Sequence, residues 1–482
     1  MARTNRILRR NTVDTFDDFT ALGGGRGLQK AAEIGPREII EMIEASGLRG
    51  RGGAGFPTGT KWRTVTEMTG TRPVSVVVNG AEGEPGTFKD RTLISNDPFQ
   101  VVEGALIAAR AVGAENVVFA VKEQFTDQIE RLRTAIAAFE SRGIDDVVLR
   151  VVTGPASYLF GEESALLEVV EGRPPLPRVT PPYRRGLGDE VGEGNEASDL
   201  SLAGEADAER VDETDASTTA LVNNVETMAN VAFVLAHGVD EFRSVGTDAT
   251  PGTAICTISG AVAEHGVAEF AMGTPFWDVL DSLGDGAVDD HTVIGAISGT
   301  ANAVLPADRF DTPLCFDAFS AAGSGLGAAG FIVLDDHTDL AATAHGVARF
   351  LAIESCGQCQ PCKVDGGAIA DRLDVIRRSE QAAGRDIDSE IDGLLSTVAD
   401  GARCGLASQH QTAVASLHEL ACAANASHLS GELGPAGIDL IAPIADIVDG
   451  LAVTDRSHLD KNADWAPGSS VSVSGSGGTP ST

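Results

Sequence analysis

Lysine is almost missing from this chain. Only six of its 36 basic side chains are lysines, and they face 70 carboxylates, for a net charge of −34. The acid is spread along the whole length, which leaves no basic face to neutralise phosphates and argues against nucleic acid as a partner. The same imbalance suits a halophilic protein kept soluble at very high salt, where screening removes self-repulsion; an ordinary acidic cytosolic protein is the plainer alternative. Aromatic residues are few, at 5%. Apolar residues never run together for the ~18 positions of a membrane span, and the opening MARTNRILRRNTVDTF has no apolar stretch of the kind that directs secretion. A cytoplasmic chain without direct membrane insertion is expected, at most peripheral to a membrane complex. Seven cysteines in 482 residues do not suggest a disulfide framework.

What is present is enough apolar residue, 43%, to fill several cores, in a chain long enough for two to four domains. Residues 36–46 have helical periodicity. VSVVV (74–78), VVFAVK (117–122) and VVLRVV (147–152) then alternate with helical patterns over 98–112 and 124–141. Such alternation predicts βαβ units and a parallel sheet, an α/β fold. Residues 186–217 are acidic and aperiodic, and read as a disordered insertion. Between 251 and 335 the strand-like TAICTISGAV and GFIVLDD flank a short helical pattern, which suggests a compact α+β domain. From 337 to about 452 the pattern is helical. The Gly/Ser-rich tail from Ala466 reads as disordered.

The stretch GLRGRGGAGFPTGTKW (47–62) contains Gly50, Gly52 and Gly55 in a G-x-G-x-x-G match. It follows a helix rather than a strand, and the next strand ends in Asn79 rather than an acid, so it is no dinucleotide fingerprint. Bare backbone of this kind lets N–H groups approach a phosphate or a flat ring. Arg49, Arg51 and Lys61 supply cations, and Phe56 a stacking face. In NGAEGEPGTFKDR (79–91), Asn79, Glu82 and Glu84 follow a strand, where they can accept from ribose hydroxyls or ring N–H groups. A solvated acidic turn is the plainer alternative. Glu162 and Glu163 in YLFGEESALLEVVEGRP start a helix, where carboxylates are also ordinary dipole partners. The following GRPPLPRVTPP must be extended. LVNNVET places Asn223 and Asn224 before a helix with Thr227 one turn along; such amides are often caps.

Cys356, Cys359 and Cys362 follow a C-x-x-C-x-x-C spacing, with Cys404 forty-two residues later. Three close thiolates and a distant fourth fit the four corners of one [4Fe–4S] cluster. Zinc, which prefers two separated pairs, and an unligated redox cluster are the alternatives. Cys256, Cys315 and Cys422 read as core packing.

Taken together and in order, these five motifs resemble the flavoprotein (F) subunits of NADH–quinone oxidoreductase. Members of the same family serve NAD-reducing hydrogenases and NAD-dependent formate dehydrogenases as diaphorases. The resemblance covers about 35–450. It implies a Rossmann-like FMN/NADH domain over 36–245 after an N-terminal segment 1–35, then a β-grasp (SLBB) domain over 250–336, then a helical iron–sulfur domain over 337–452. It implies hydride transfer from NADH to FMN, then single electrons through one [4Fe–4S] cluster to a partner. A thioredoxin-like [2Fe–2S] subunit and a downstream iron–sulfur carrier are the expected partners. By motif, Gly50, Gly52, Lys61, Asn79, Glu82, Tyr158, Gly161, Glu162, Glu163, Asn223, Asn224 and Thr227 would line the FMN. Phe56 would stack on adenine, and Glu84 would approach the adenosine ribose and favour NADH over NADPH. Ala81 stands where the family usually has Asp, and the second aromatic that often completes an adenine clamp at about the Thr64 position is missing. A flavin-free SLBB interaction module with structural zinc is the alternative of a different class.

Overall fold

Four runs rich in β-branched residues become the strands β1 (Val74–Gly80), β2 (Asn116–Lys122), β3 (Val148–Gly154) and β4 (Thr219–Asn224). In the computed structural model they form one parallel sheet in the order β3-β2-β1-β4. The structure describes residues 3–70, 72–143, 146–179, 182, 186–187, 218–288, 290–380 and 386–466. The expected disordered insertion falls almost wholly outside them, as does the tail beyond Ala466. β1 is buried on both faces, as a parallel strand covered by helices must be. One face packs on the helices Pro98–Val112, Thr126–Glu140 and Val225–His237, and the other on Glu163–Val170. The helix Pro98–Val112 starts where Asp97 accepts from the Gln100 N–H and stops at Gly113 in the left-handed region.

The strand order reverses at β1, with β2 on one side and β4 on the other, and such a switch point opens a crevice at the carboxyl ends of the strands. Register sets Asn79 beside Asn224 and Val78 beside Asn223 at that edge. The glycine stretch lies between two helices, Pro36–Ser46 and Thr58–Thr69, as its sequence context demanded. Residues 3–35 are packed in: Ile7, Val13 and Phe19 join the core of the parallel sheet. Glu269 accepts the backbone N–H groups of Arg6, Ile7 and Leu8 at 2.8–3.0 Å.

A second, five-stranded sheet uses β5 (Thr253–Gly260), β6 (Gly266–Ala271), β7 (Val293–Ser298), β8 (Leu305–Pro306) and β9 (Gly330–Asp335). Its order is β6-β5-β9-β7-β8, with β5 and β9 parallel at the centre and the other pairs antiparallel. The helix Phe276–Gly284 packs against it. Helices from Leu340–Ile353 to Cys422–Ser430 bury a third core. The expected helical region to 452 ends sooner. Beyond Ser430 the chain forms an antiparallel hairpin, Ile444–Val448 with Leu451–Thr454, because IADIV and LAVT carry β-branched residues around a turn at Asp449 and Gly450. Among the described residues no helix is long and apolar enough to cross a membrane.

Candidate flavin cavity and cysteine cluster

At the carboxyl ends of β1 and β4 lies a cavity of about 670 Å³, within the size range of ligand sites. All fourteen residues singled out as cofactor-binding candidates line it, although they come from four separate stretches of sequence. The glycine loop forms one wall. It folds back on itself through Gly50 N–H to Phe56 O (2.8 Å) and Thr58 N–H to Leu48 O (2.9 Å). Gly55 is left-handed (φ 62°), and a Cβ there would lie 2.6 Å from the Phe316 ring. A Cβ on Gly52 would press on Asn224 at 3.1 Å, so the loop touches β4 directly.

Two cations expected for phosphate are used elsewhere. Arg51 is buried, and its guanidinium donates to the carbonyls of Thr253 (3.0 Å), Arg49 (3.0 Å) and Pro251 (3.3 Å). It fastens the loop to the second sheet, where Arg's fork satisfies several carbonyls at once. Arg49 donates to Gly55 O at 2.6 Å, pairs with Asp317 at 3.0 Å and lies over the Phe316 ring. Lys61 remains on the wall, ion-paired with Glu163. Phe56 is 54% exposed at the cavity, an apolar ring that no packing accounts for.

The carboxylates divide by what holds them. Glu82 receives Arg91 Nε (2.8 Å) and the Asp90 N–H (3.0 Å). Burial would raise it, but Arg91 overrides this and keeps it below its usual value. Glu84 accepts from the Tyr158 hydroxyl and from Thr300, and burial nevertheless raises its pKa. Glu162 caps the helix Glu163–Val170 by accepting from the Ser164 and Ala165 N–H groups at 3.1 and 2.8 Å, the dipole role carboxylates take there. Asn224 likewise caps Val225–His237. Asn223 accepts from the Trp62 indole at 2.9 Å, Asn79 donates to Gly161 O at 2.8 Å, and Thr227 accepts from the Arg51 N–H at 3.0 Å.

Sequence reasoning passed over the charges beneath the cavity. Lys89 sits between Asp90 (2.7 Å) and Glu226 (2.9 Å), all three buried, and also donates to Asn224 at 3.2 Å. Burial works against its ammonium, but the two carboxylates more than offset that and hold it above the usual lysine value. The motifs TFKDR and LVNNVET showed these charges without showing that they pair underground. Gln409 gave no local signal at all. It donates to the Tyr158 hydroxyl at 3.2 Å, lines the cavity, and leaves its own buried oxygen unpartnered. An orphaned acceptor on the wall fits a bound group that carries N–H donors.

Cys404, Gly405 and Leu406 also line the cavity. The four motif cysteines are free thiols. Burial and the nearness of Cys359, Cys404 and Cys356 push Cys362 up to about 12, and burial pushes Cys404 up to about 11. Four thiols gathered in such surroundings cannot ionise together without a cation, which the irons of a cluster would supply. No three His, Cys, Asp or Glu side chains among the described residues enclose a single-ion point. Of the other cysteines, Cys256 and Cys315 are buried as expected, but Cys422 is exposed. It begins the helix Cys422–Ser430.

Comparison with known proteins follows the same division. The Nuo51 FMN-binding domain family matches residues 43–233, and the NADH-ubiquinone oxidoreductase-F iron-sulfur binding region matches 342–420. The NADH-quinone oxidoreductase F 2 subunit of Rhizobium meliloti (strain 1021) is 35% identical over 400 residues, covering 80% of this chain and 88% of its own. The corresponding F subunit of Aquifex aeolicus (strain VF5) is 32% identical over 390 residues, covering 78% and 83%. Among solved structures, an NAD+-reducing [NiFe]-hydrogenase in the H2-reduced state superposes with a TM-score of 0.70 at 28% identity, over 86% of this chain. The present chain spans 65% of that hydrogenase chain. A cavity at a parallel-sheet switch point, four gathered cysteines and relatives matched along most of their length lead to one conclusion: this chain belongs to the family of NADH-quinone oxidoreductase F subunits, with its FMN-binding and iron–sulfur regions.

Proposed function

We propose that the cavity holds FMN and NADH side by side and that the four cysteines hold the cluster that takes electrons onward. The observation that carries this is Cys404, which both opens onto the cavity and stands among the other three thiols. Bound flavin supplies the chemistry, accepting a hydride from NADH and releasing electrons one at a time. The chain's own residues bind and orient. Gly50, Gly52 and Gly161 keep backbone bare where a ring or phosphate must come close. Lys61 offers a cation, and Asn79, Asn223, Asn224, Glu82, Glu162, Glu163 and Thr227 frame the flavin with amides, hydroxyl and carboxylates. Phe56 offers adenine a face. Glu84, steadied by Tyr158 and Thr300, stands where the ribose would lie, and its charge disfavours a 2′-phosphate. No side chain is required as acid or base for hydride transfer.

In this reading residues 36–245 form the FMN/NADH domain. Residues 250–336 form a β-grasp (SLBB) domain, a reading supported by the parallel central pairing of β5 with β9. The helices within 337–452 carry the cluster. A thioredoxin-like [2Fe–2S] subunit and a further iron–sulfur carrier would complete the chain of carriers, in a cell of high internal salt. The decisive measurement is a visible spectrum of protein purified anaerobically in high salt, before and after NADH. A flavin band that bleaches with NADH is expected; absence of such a band overturns the proposal. The likeness to a hydrogenase favours a second reading, a diaphorase subunit serving another dehydrogenase or hydrogenase. A pull-down from native extract separates the two by the chains that come with it.

A further inference from the structure

The match to the iron–sulfur region ends at residue 420, yet the chain returns to the cysteines forty residues later. After the hairpin, a short turn at Arg456–Leu459 leads to Lys461 and Trp465. Arg349 donates to the carbonyls of Leu459 (3.0 Å) and Lys461 (3.2 Å), which anchors this segment to the helix before the cysteine motif. His458, itself buried, meets Glu354 at 2.8 Å, and Lys461 pairs with the same carboxylate oxygen. The other Glu354 oxygen accepts the Tyr158 N–H at 2.9 Å. Trp465 donates its indole N–H to the carbonyl and hydroxyl of Ser355, both at 3.1 Å. Its ring lies on Gly357, which is left-handed (φ 68°) and whose Cβ, if it had one, would collide with that ring. Lys363 reaches over the same ring at 5.4 Å.

Residues 456–466 therefore touch positions 354, 355, 357 and 363, which bracket Cys356, Cys359 and Cys362 on both sides. Resting on the iron–sulfur reading above, we infer that this segment is a strap that closes the cysteine turn. Trp465 is a positioning residue that keeps water and oxidants from the turn between Cys356 and Cys359. Glu354 joins the strap to Tyr158, and so to the cavity wall. The apolar and hydrogen-bonded shell around a metal centre governs both solvent access and the hold on the metal. Here a single indole supplies both, with its ring over Gly357 and its N–H on Ser355. In a chain with three tryptophans, one is placed here.

The test compares full-length wild type with Trp465→Ala, Trp465→Phe and Gly357→Ala, at equal initial iron. Iron release to a chelator under air is followed, with the EPR spectrum of the reduced cluster as a second readout. Trp465→Ala is expected to release iron about tenfold faster or more, with an altered EPR line shape and unchanged bleaching of the flavin by NADH. Trp465→Phe keeps an aromatic ring near Gly357 but loses the N–H to Ser355, and should fall between wild type and Trp465→Ala. Gly357→Ala pushes the ring away from the other side and should repeat the Ala phenotype; it also serves if Trp465→Ala does not fold. Equal iron release by wild type, Trp465→Ala and Gly357→Ala overturns the strap while leaving the cluster standing. Wild type purified without iron overturns both.

Discussion

The flavin cavity and the cysteine cluster meet at Cys404 but are built on opposite plans. The charged side chains around the cavity are largely committed to one another: Glu82 to Arg91, Lys89 to Asp90 and Glu226, Glu162 to its own helix, Lys61 to Glu163. The cluster region is apolar, with Cys362, Leu406, Ala407, Ile369 and Val414 in one core, and its fastenings come from more than a hundred residues away at His458, Lys461 and Trp465. The charges around the proposed dinucleotide cavity are tied to one another. A cluster that must not leave is enclosed instead.

That contrast can be broken most completely at the metal. Cys404→Ser should abolish cluster iron, measured by metal analysis, and leave the flavin band in place; retained iron would contradict the assignment. Next in size comes the charge buried under the cavity. Lys89→Met leaves Asp90 and Glu226 buried without their cation, and removing one partner of a buried pair costs about 3–5 kcal/mol. Chemical denaturation in high salt should show that loss, and a change below about 1 kcal/mol would mean the triad is far better hydrated than its burial indicates.

A pH experiment sharpens the other side. His410 is fully buried among the cluster-side helices with both ring nitrogens unpartnered, and burial lowers its pKa to about 4. The free side chain titrates near 6.5, so the unfolded chain takes up the proton first as pH falls. Stability from this group is present above about 6.5 and is lost between about 6.5 and 4, to a limit of about 3 kcal/mol. His410→Leu should flatten that part of the stability–pH curve; an unchanged curve would show that the imidazole is not held neutral. The smallest effect belongs to the exposed ring at the cavity. Phe56→Ala should raise the KM for NADH roughly fivefold, about 1 kcal/mol of stacking, with kcat little changed. A fall in kcat at constant KM would place Phe56 at the flavin instead.

Legibility followed the range of the forces involved. The helix Pro36–Ser46 and the strands β1 to β3 were readable because periodicity and β-branching are local. Many of the candidate wall residues were readable because they stood at the end of a strand or the start of a helix, and the resemblance gathered them with the glycine loop. Arg49 and Arg51 misled because a cation in a glycine loop says nothing about which carbonyls will surround it. Cys422 misled because its small neighbours look the same on an outer helix face as in a core. Gln409 and the strap at 456–466 carried no motif, since their partners exist only after folding.

By itself the amino-acid sequence determined which chemistry is possible: bare glycine backbone, carboxylates and amides at strand ends, and four cysteines at cluster spacing. Residue type and short spacing settle those, because they depend on atoms only a few bonds apart. Tertiary structure alone decided which charges are consumed in pairs and which face the cavity, that Cys404 bridges cavity and cluster, and that Trp465 closes over Gly357. These depend on burial and on contacts across 74 to 251 residues, where a side chain's partner is set by packing and not by its neighbours in sequence.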